Sequence, residues 1–236
     1  DTGESVALVG KNVLELGPGP DLGTGLYLLS KGASQYHACD VNELAKRAPD
    51  SFYEQLFSRL KQLNDDTDVG ALKKQLQALR VDKPSALNYV VRDDFNIVAA
   101  FGKETVDIVF SQAAFEHFDN IEATAIQLRK VCNSKALLVI EVDLKTHSRW
   151  ITQRAPNNIY RYLNSLYNLF RFRGIPNRKR PYEYVNALKR TGSKNIELIP
   201  ISQQSTEMNS YSGMNKQFVN SKNQMEYLSI MICAQK

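Results

Sequence analysis

Glu15, Gly17 and Gly19 stand close together in Val13-Leu14-Glu15-Leu16-Gly17-Pro18-Gly19-Pro20-Asp21-Leu22-Gly23-Thr24-Gly25. An apolar run ends in a carboxylate, breaks into glycines and opens a helix. Glycine permits positive φ and lets a ligand approach the backbone closely. The helix N-terminus that follows offers unpaired N–H groups and a positive dipole end. Asp40 closes the next apolar run, 21 residues after Gly19. An acid at that place typically accepts hydrogen bonds from ribose hydroxyls. A dinucleotide pyrophosphate needs G-x-G-x-x-G, and Leu22 stands where the third glycine belongs. Glu15 would also set a negative charge beside a pyrophosphate. A carboxylate suits a ligand with an ammonium or a sulfonium. S-adenosylmethionine carries both, so charge favours it over NAD.

Methyl transfer from a sulfonium is an in-line displacement, in which the acceptor must be oriented and often deprotonated. In open α/β sheets the ligand lies beyond the carboxyl ends of the strands. Glu116 and His117 follow a fourth apolar run there, and Glu141, Asp143 and His147 surround a fifth. His147 is the first choice for a general base, because imidazole titrates near neutrality. The alternative for it is a hydrogen-bonded surface or capping histidine. His117 and Glu116 complete the catalytic candidates, with a pocket-shaping role as the alternative for His117. His37 lies mid-strand and reads as a packing residue. Ser111 has no G-x-S-x-G elbow around it. Asp65, Asp66 and Asp68 lack the glycine and distal Glu of a calcium loop and read as a solvated turn. No H-E-x-x-H or paired C-x-x-C occurs, so motif spacing indicates no metal.

The elements that must position these groups alternate between strand and helix. Asn12–Leu16, Gln35–Asp40, Leu87–Val91, Val106–Phe110 and Ala136–Val142 read as strands. Leu26–Lys31 continues a helix begun just after the glycines. Ile121–Cys132 places Ile121, Ala125, Leu128 and Val131 at helical spacing, with Asp119 or Asn120 as N-cap. This pitch predicts a mostly parallel sheet wrapped by helices. Residues 41–85 exceed a minimal alternation. They hold a helix over Ser51–Leu63, with Phe52, Leu56, Leu60 and Leu63 on one face, and a second over Ala71–Arg80. Residues 150–184 are a second surplus, with eight aromatics in 35 residues; such a cluster serves a helix core and a lid over a pocket alike. Pro181 suits a helix N1 and Gly192 its C′. Strands Asn195–Ile201 and Met225–Ala234 close the chain, with Ser202–Asn223 as a long connection between them.

With those motifs in place, the chain resembles the class I S-adenosylmethionine-dependent methyltransferases over most of residues 12–145. Glu15-x-Gly17-x-Gly19 and Asp40 carry the resemblance. Tyr89-Val90-Val91-Arg92-Asp93-Asp94-Phe95 is similar to the family's strand-end segment whose acid and next residue flank the adenine. Asp107 through Phe118 resembles the fourth-strand segment with its Glu-His pair, and Gln127 through Val131 the helix before the fifth strand. The resemblance implies cofactor contacts at Glu15, Gly17, Gly19, Asp40, Val41, Asp93, Asp94, Phe95 and Ser111. It implies a Rossmann-like, mostly parallel seven-stranded α/β sheet flanked by helices, with a helical insertion after the second strand and an aromatic-rich cap after the fifth. Two positions depart from the pattern. Asp21 replaces a small residue, and Asn133-Ser134-Lys135 replaces the glycine turn before the fifth strand, where Asn tolerates the left-handed conformation.

Length and composition bound the remainder. The 236 residues suit one α/β domain with an elaboration. The expectation is a single methyltransferase domain over 1–236, with its insert at about 41–85 and its acceptor-side cap at about 150–184. At 43% hydrophobic and 23% charged the chain is globular in composition, which argues against disorder throughout. Cys39, Cys132 and Cys233 are odd in number and sit in apolar segments, as buried thiols of a reducing, cytoplasmic compartment would. No apolar run reaches the roughly 18 residues that span a bilayer, and the acidic, polar start is not a signal peptide. The net charge is +5. Seven Lys and Arg against Glu183 give +6 within residues 171–190 alone. The favoured function is S-adenosylmethionine-dependent methylation of an oxygen or nitrogen on a small molecule. The alternatives are an RNA or protein methyltransferase using the basic segment, and a non-catalytic nucleoside-binding protein of the same fold. A nucleic-acid partner is possible but less favoured, since no RNA-binding module motif accompanies the basic residues. Oligomeric state is not legible.

Overall fold

A computed structural model describes residues 7–103, 105–172, 174–204 and 213–236. The elements in chain order are β1 (Asn12–Leu16), α1 (Gly23–Ser30), β2 (Gln35–Asp40), α2 (Asp50–Leu63), α3 (Val69–Arg80), β3 (Leu87–Val91), α4 (Ile97–Phe101), β4 (Val106–Gln112), α5 (Ile121–Val131), β5 (Cys132–Asp143), α6 (Asn164–Leu169), α7 (Pro181–Arg190), β6 (Lys194–Gln203) and β7 (Tyr227–Gln235). The seven strands are ordered β3-β2-β1-β4-β5-β7-β6, a mixed and mostly parallel sheet. β1 pairs in parallel with β2 and β4, and β2 with β3. β7 runs antiparallel to both β5 and β6. The expected fold class is therefore the observed one. No helix of the described residues is long and apolar enough to cross a membrane.

The chain divides into two compact units. The first runs through Phe110 and takes in Lys130–Ala136; the second comprises Ser111–Arg129 and Leu137–Lys236. In the first, parallel strands need crossover helices, so their sequences read as short, nearly continuous apolar runs. Tyr36, Ala38 and Leu87 from the strands pack with Leu22, Leu26, Tyr53, Phe57, Leu60, Leu72 and Leu76 in one core. The helical insert is present as α2 and α3. Asp68 caps α3 by accepting the Ala71 N–H at 2.9 Å, which is the role of that acidic turn. The buried face of α2 differs from the predicted one. Tyr53, Phe57 and Leu60 are buried, whereas Phe52 and Leu63 are 36% and 57% exposed. Both stripes include Leu60 and both keep helical spacing. The Tyr53 hydroxyl decides the phase by accepting the Leu22 N–H at 3.2 Å.

In the second unit Pro181 opens α7, and the Glu183 carboxylate accepts the Arg180 N–H at 2.9 Å. Gly192 follows the helix at φ +84°, as expected for a C′ glycine. The aromatic segment splits into two populations. Tyr160 and Tyr184 are buried, while Trp150, Phe170 and Phe172 are largely exposed. The connection predicted from Ser202 starts later, because β6 continues to Gln203. It contains short 3-10 turns at Lys216–Phe218 and Ser221–Asn223; residues 205–212 lie outside the described ones. β5 begins at Cys132, four residues before the predicted Ala136, so the expected turn is absent; within the first residues of the strand Lys135 is left-handed (φ +69°) and Asn133 is not. The Asn133 amide instead donates to Asp107 at 2.9 Å.

Candidate functional site

The first unit aligns the predicted cofactor groups at the carboxyl ends of three neighbouring strands. Glu15 is registered on Ala38, and Asp40 on Val91. The Gly17 N–H donates to the Cys39 carbonyl at 2.9 Å, and the Arg92 N–H to the Asp40 carbonyl at 2.9 Å. These bonds tie the glycine loop, the Asp40–Val41 turn and the Arg92–Phe95 segment into one edge. Gly17 and Gly19 have φ +72° and +74°, and a Cβ at Gly19 would meet nothing within 4 Å. The loop thus leaves backbone open where a ligand can lie against it.

Glu15 is buried, and its carboxylate accepts the Tyr36 hydroxyl proton. Burial pushes its carboxyl up to about 7, against the lowering effect of that hydrogen bond and with help from the Asp21 charge. Asp21 accepts the Gly23 N–H at 2.8 Å, so the start of α1 is already served by a protein carboxylate. Two acids beside the loop and an occupied helix end disfavour a pyrophosphate and suit a cationic group. The residues present therefore fit the ammonium and sulfonium of S-adenosylmethionine.

Asp40 uses Oδ1 for both local bonds, to the Val41 N–H at 2.6 Å and the Asn42 N–H at 3.0 Å. Neither bond occupies Oδ2. Asp94 is committed to its own loop: it accepts from Arg92 Nε and Nη2, both at 2.8 Å, and from the Asn96 N–H. The Arg92 bond holds its carboxyl down at about 2. Phe95 sits at φ +47°. Ser111 is buried on β4, directly after Phe110, which is registered on Glu15.

The second unit brings the three catalytic candidates together. Glu116 and His117 ride on a 3-10 turn, Phe115–His117. His147 lies four residues past Asp143, the last residue of β5. His117 Nε2 and His147 Nε2 are each 3.9 Å from Glu116 Oε1, and His147 Nε2 is 3.9 Å from Asp143 Oδ2. The imidazoles meet edge to face at 4.9 Å. Glu116 is 2% exposed, and its oxygens make no hydrogen bond of good geometry; the nearest donors are its own and the Asp143 backbone N–H groups. Burial pushes it up to about 8. Burial lowers both histidines, so each is neutral at pH 7.

Asn177 positions this turn and carried no signal in the sequence. Its backbone N–H donates to the Glu116 carbonyl at 2.6 Å, and its amide to the carbonyls of Phe115 and Phe118. Its own oxygen accepts from Tyr184 Oη and the Lys179 N–H.

The basic segment is mostly buried or paired, with Lys189 and Arg190 exposed. Arg178 and Arg180 are buried. Arg171 pairs with Asp119, Lys179 with Glu183 and Arg190 with Glu122. Arg173 lies outside the described residues.

No protein-family model and no curated protein sequence matches the chain. Solved structures do. A candidate S-adenosylmethionine-dependent methyltransferase from Listeria monocytogenes aligns with TM-score 0.54 and 15% identity, over 98% of this chain and 93% of that one. The chain has the class I methyltransferase fold. An S-adenosylmethionine-dependent methyltransferase from Mesorhizobium loti aligns with TM-score 0.52 and 11% identity, over 98% and 94% of the two chains. Phosphoethanolamine N-methyltransferase 2 of Haemonchus contortus, solved with phosphomonomethylethanolamine and S-adenosylhomocysteine, aligns with TM-score 0.53 and 14% identity. There the match covers 99% of this chain and 50% of the nematode enzyme.

Proposed function

We propose that this chain is one methyltransferase domain that moves the S-adenosylmethionine methyl group to an oxygen or nitrogen of a small molecule. The observation that carries the reading is the strand-end alignment of Glu15, Gly17, Gly19 and Asp40, with a buried acid where a cationic ligand is required. When bound, the cofactor supplies an electrophilic methyl group on a sulfonium. Glu15 pairs with its ammonium, and the open glycine backbone lies against its amino-acid part. Asp40 accepts from the ribose through Oδ2, beside Val41. Asp93 and Phe95 flank the adenine, with Asp94 holding their loop in shape through Arg92, and Ser111 completes the cofactor contacts. Glu116, His117 and His147 orient the acceptor. His147, neutral at pH 7 and half-exposed, takes its proton. The buried and paired basic side chains favour a small acceptor over RNA.

Calorimetry with S-adenosylhomocysteine tests the cofactor, and micromolar binding is expected. Absence of binding at millimolar ligand refutes the reading. A screen of small amine, hydroxyl and carboxylate acceptors, read out as S-adenosylhomocysteine formation, tests the transfer. Tight binding without turnover on any acceptor would favour a nucleoside-binding protein.

A further inference from the structure

The Glu116 carboxylate is not explained by proton transfer alone. A buried carboxyl without a well-formed hydrogen bond is costly even as the neutral acid, and such groups are normally paired, protonated or bound to metal. Here no Lys or Arg pairs with it among the described residues. Its neighbours are the two imidazoles, and both stand at 3.9 Å from Oε1, beyond hydrogen-bond reach. His117 Nδ1 is buried at the same place and meets only the Gly174 and Ile175 backbone, outside good hydrogen-bond geometry.

The spacing suits a cation between the three side chains. One ligand atom from each of Glu116, His117 and His147 lies within 4.8 Å of the others. Two ligands about 2.1 Å from a tetrahedral ion stand about 3.4 Å apart. The 3.9 Å pairs thus need closure of about half an ångström and the widest pair, at up to 4.8 Å, about 1.4 Å, which side-chain rotations supply. The scaffold is set beforehand from two segments. Asn177 clamps the Glu116–His117 turn, and the His147 segment is held by Thr146 N–H to the Pro156 carbonyl at 2.7 Å and Lys145 N–H to Asp143 Oδ1 at 2.9 Å. Asp143 and Lys145, paired at 3.6 Å, and Glu141 are the other charged groups here. No local spacing motif encodes such a site, because adjacent residues 116 and 117 join a third ligand 30 positions on.

We propose that Glu116, His117 and His147 bind one divalent transition-metal ion of the zinc class. Two imidazoles and a carboxylate are borderline ligands that suit zinc, cobalt and iron better than magnesium or calcium. Three protein ligands leave a position open for water or an oxygen ligand. Asp143, 3.9 Å from His147 Nε2, flanks the site. Placing the methyl acceptor's oxygen at the open position rests on the methyl-transfer reading, and there the ion, by acidifying that oxygen, would replace the base role of His147, whose Nε2 lone pair it occupies; the metal site rests only on the second unit.

The test is metal binding by untagged protein without the cofactor, using Zn2+ for stoichiometry and Co2+ as an optical probe. Wild type is expected to retain about one equivalent of Zn2+ after dialysis, to melt higher with Zn2+, and to show Co2+ bands that Zn2+ removes. His147→Asn and Glu116→Gln should weaken binding at least tenfold. His37→Asn, in the first unit, should leave it unchanged. Absence of Zn2+ and Co2+ binding by wild type at 100-fold molar excess overturns the site, as does unaltered affinity in a folded His147→Asn protein. His147 is half-exposed, so that variant decides the matter if Glu116→Gln fails to fold. Because every arm omits the cofactor, its failure leaves methyl transfer untouched.

Discussion

Tyr36 donates its hydroxyl proton to the Glu15 carboxylate from the neighbouring strand, and burial raises that carboxyl to about 7. A cationic ligand favours the ionised carboxylate, so binding should draw a proton off Glu15. Affinity for S-adenosylmethionine should therefore climb about tenfold from pH 6 to pH 8. Glu15→Gln should bind at least tenfold more weakly at pH 8 and lose the slope. Calorimetry in two buffers of different ionisation enthalpy checks the proton release. A flat wild-type profile would remove Glu15 from the cofactor site.

The same group makes the protein without ligand less stable toward alkaline pH. A folded-state pKa raised from the ordinary 4.5 to about 7 means that the native state holds the proton more tightly. Its contribution is full below about 4.5 and is lost as pH rises through about 7. Each pKa unit corresponds to about 1.4 kcal/mol, which sets a ceiling of about 3 kcal/mol. Between pH 5 and pH 8 the wild-type melting temperature should fall more than that of Glu15→Gln. Equal falls would show that Glu15 ionises without penalty.

Gly25 fixes where the Tyr36 ring can lie. A Cβ there would stand 2.5 Å from Tyr36 Cδ1, inside any real contact. Tyr36 is fully buried, so the ring cannot swing into solvent. Gly25→Ala should cost about 1–3 kcal/mol, the usual range for overpacking, and should weaken cofactor binding by displacing the partner of Glu15. Urea unfolding with a parallel binding titration separates the two effects. An unchanged midpoint would mean that the helix shifts freely.

The strands that carry these groups were legible because each is a short apolar run ending in chemistry. Gln35–Asp40 and Leu87–Val91 are read with the bounds that the structure shows. The phase of α2 was not legible, since a stripe through Phe52 and one through Tyr53 have the same period; only the Tyr53 hydroxyl, bonded to Leu22, separates them. No turn precedes β5: the strand starts at Cys132, with Lys135 left-handed inside it and the Asn133 side chain bonded to Asp107, a long-range contact that local spacing does not show. Arg178 and Arg180 counted as surface charge in a composition sum, which cannot see the backbone carbonyls that receive them. Asn177 belongs to no motif and acts on a turn some 60 residues earlier in the chain.

Asp40 has two functions on two oxygens, and conservative variants separate them. Oδ1 holds the Val41 and Asn42 N–H groups. Asp40→Asn keeps an acceptor for that turn and removes the charge that strengthens a ribose bond. A hydrogen bond to a charged group contributes about 1.5–3 kcal/mol, so affinity for S-adenosylhomocysteine should fall about 10- to 100-fold with little change in melting temperature. Asp40→Ala should lose both. Intact affinity in Asp40→Asn would exclude a charge-assisted ribose contact.

Arg180 is wholly buried, yet no carboxylate faces its guanidinium among the described residues. Nε donates to the Asn223 carbonyl at 2.9 Å, Nη2 to the carbonyls of Gln224 and Tyr227 at 2.6 and 3.0 Å, and Nη1 to the Tyr160 hydroxyl at 3.1 Å. The planar group also lies 4.9 Å from the centre of the Tyr160 ring. One side chain thus satisfies the chain where the last connection turns into β7. Arg180→Met keeps much of the volume and removes the guanidinium donors of the Asn223 and Tyr227 carbonyls; the Gln224 carbonyl still accepts the Tyr227 N–H at 2.9 Å. At about 1–3 kcal/mol for each of these two groups, the loss should reach about 2–5 kcal/mol. Arg180→Lys should recover less than half of it, because an ammonium cannot reproduce the planar fork. Urea midpoints of the three proteins decide this. A fully rescued lysine variant would show that buried charge alone, without the guanidinium geometry, holds this connection.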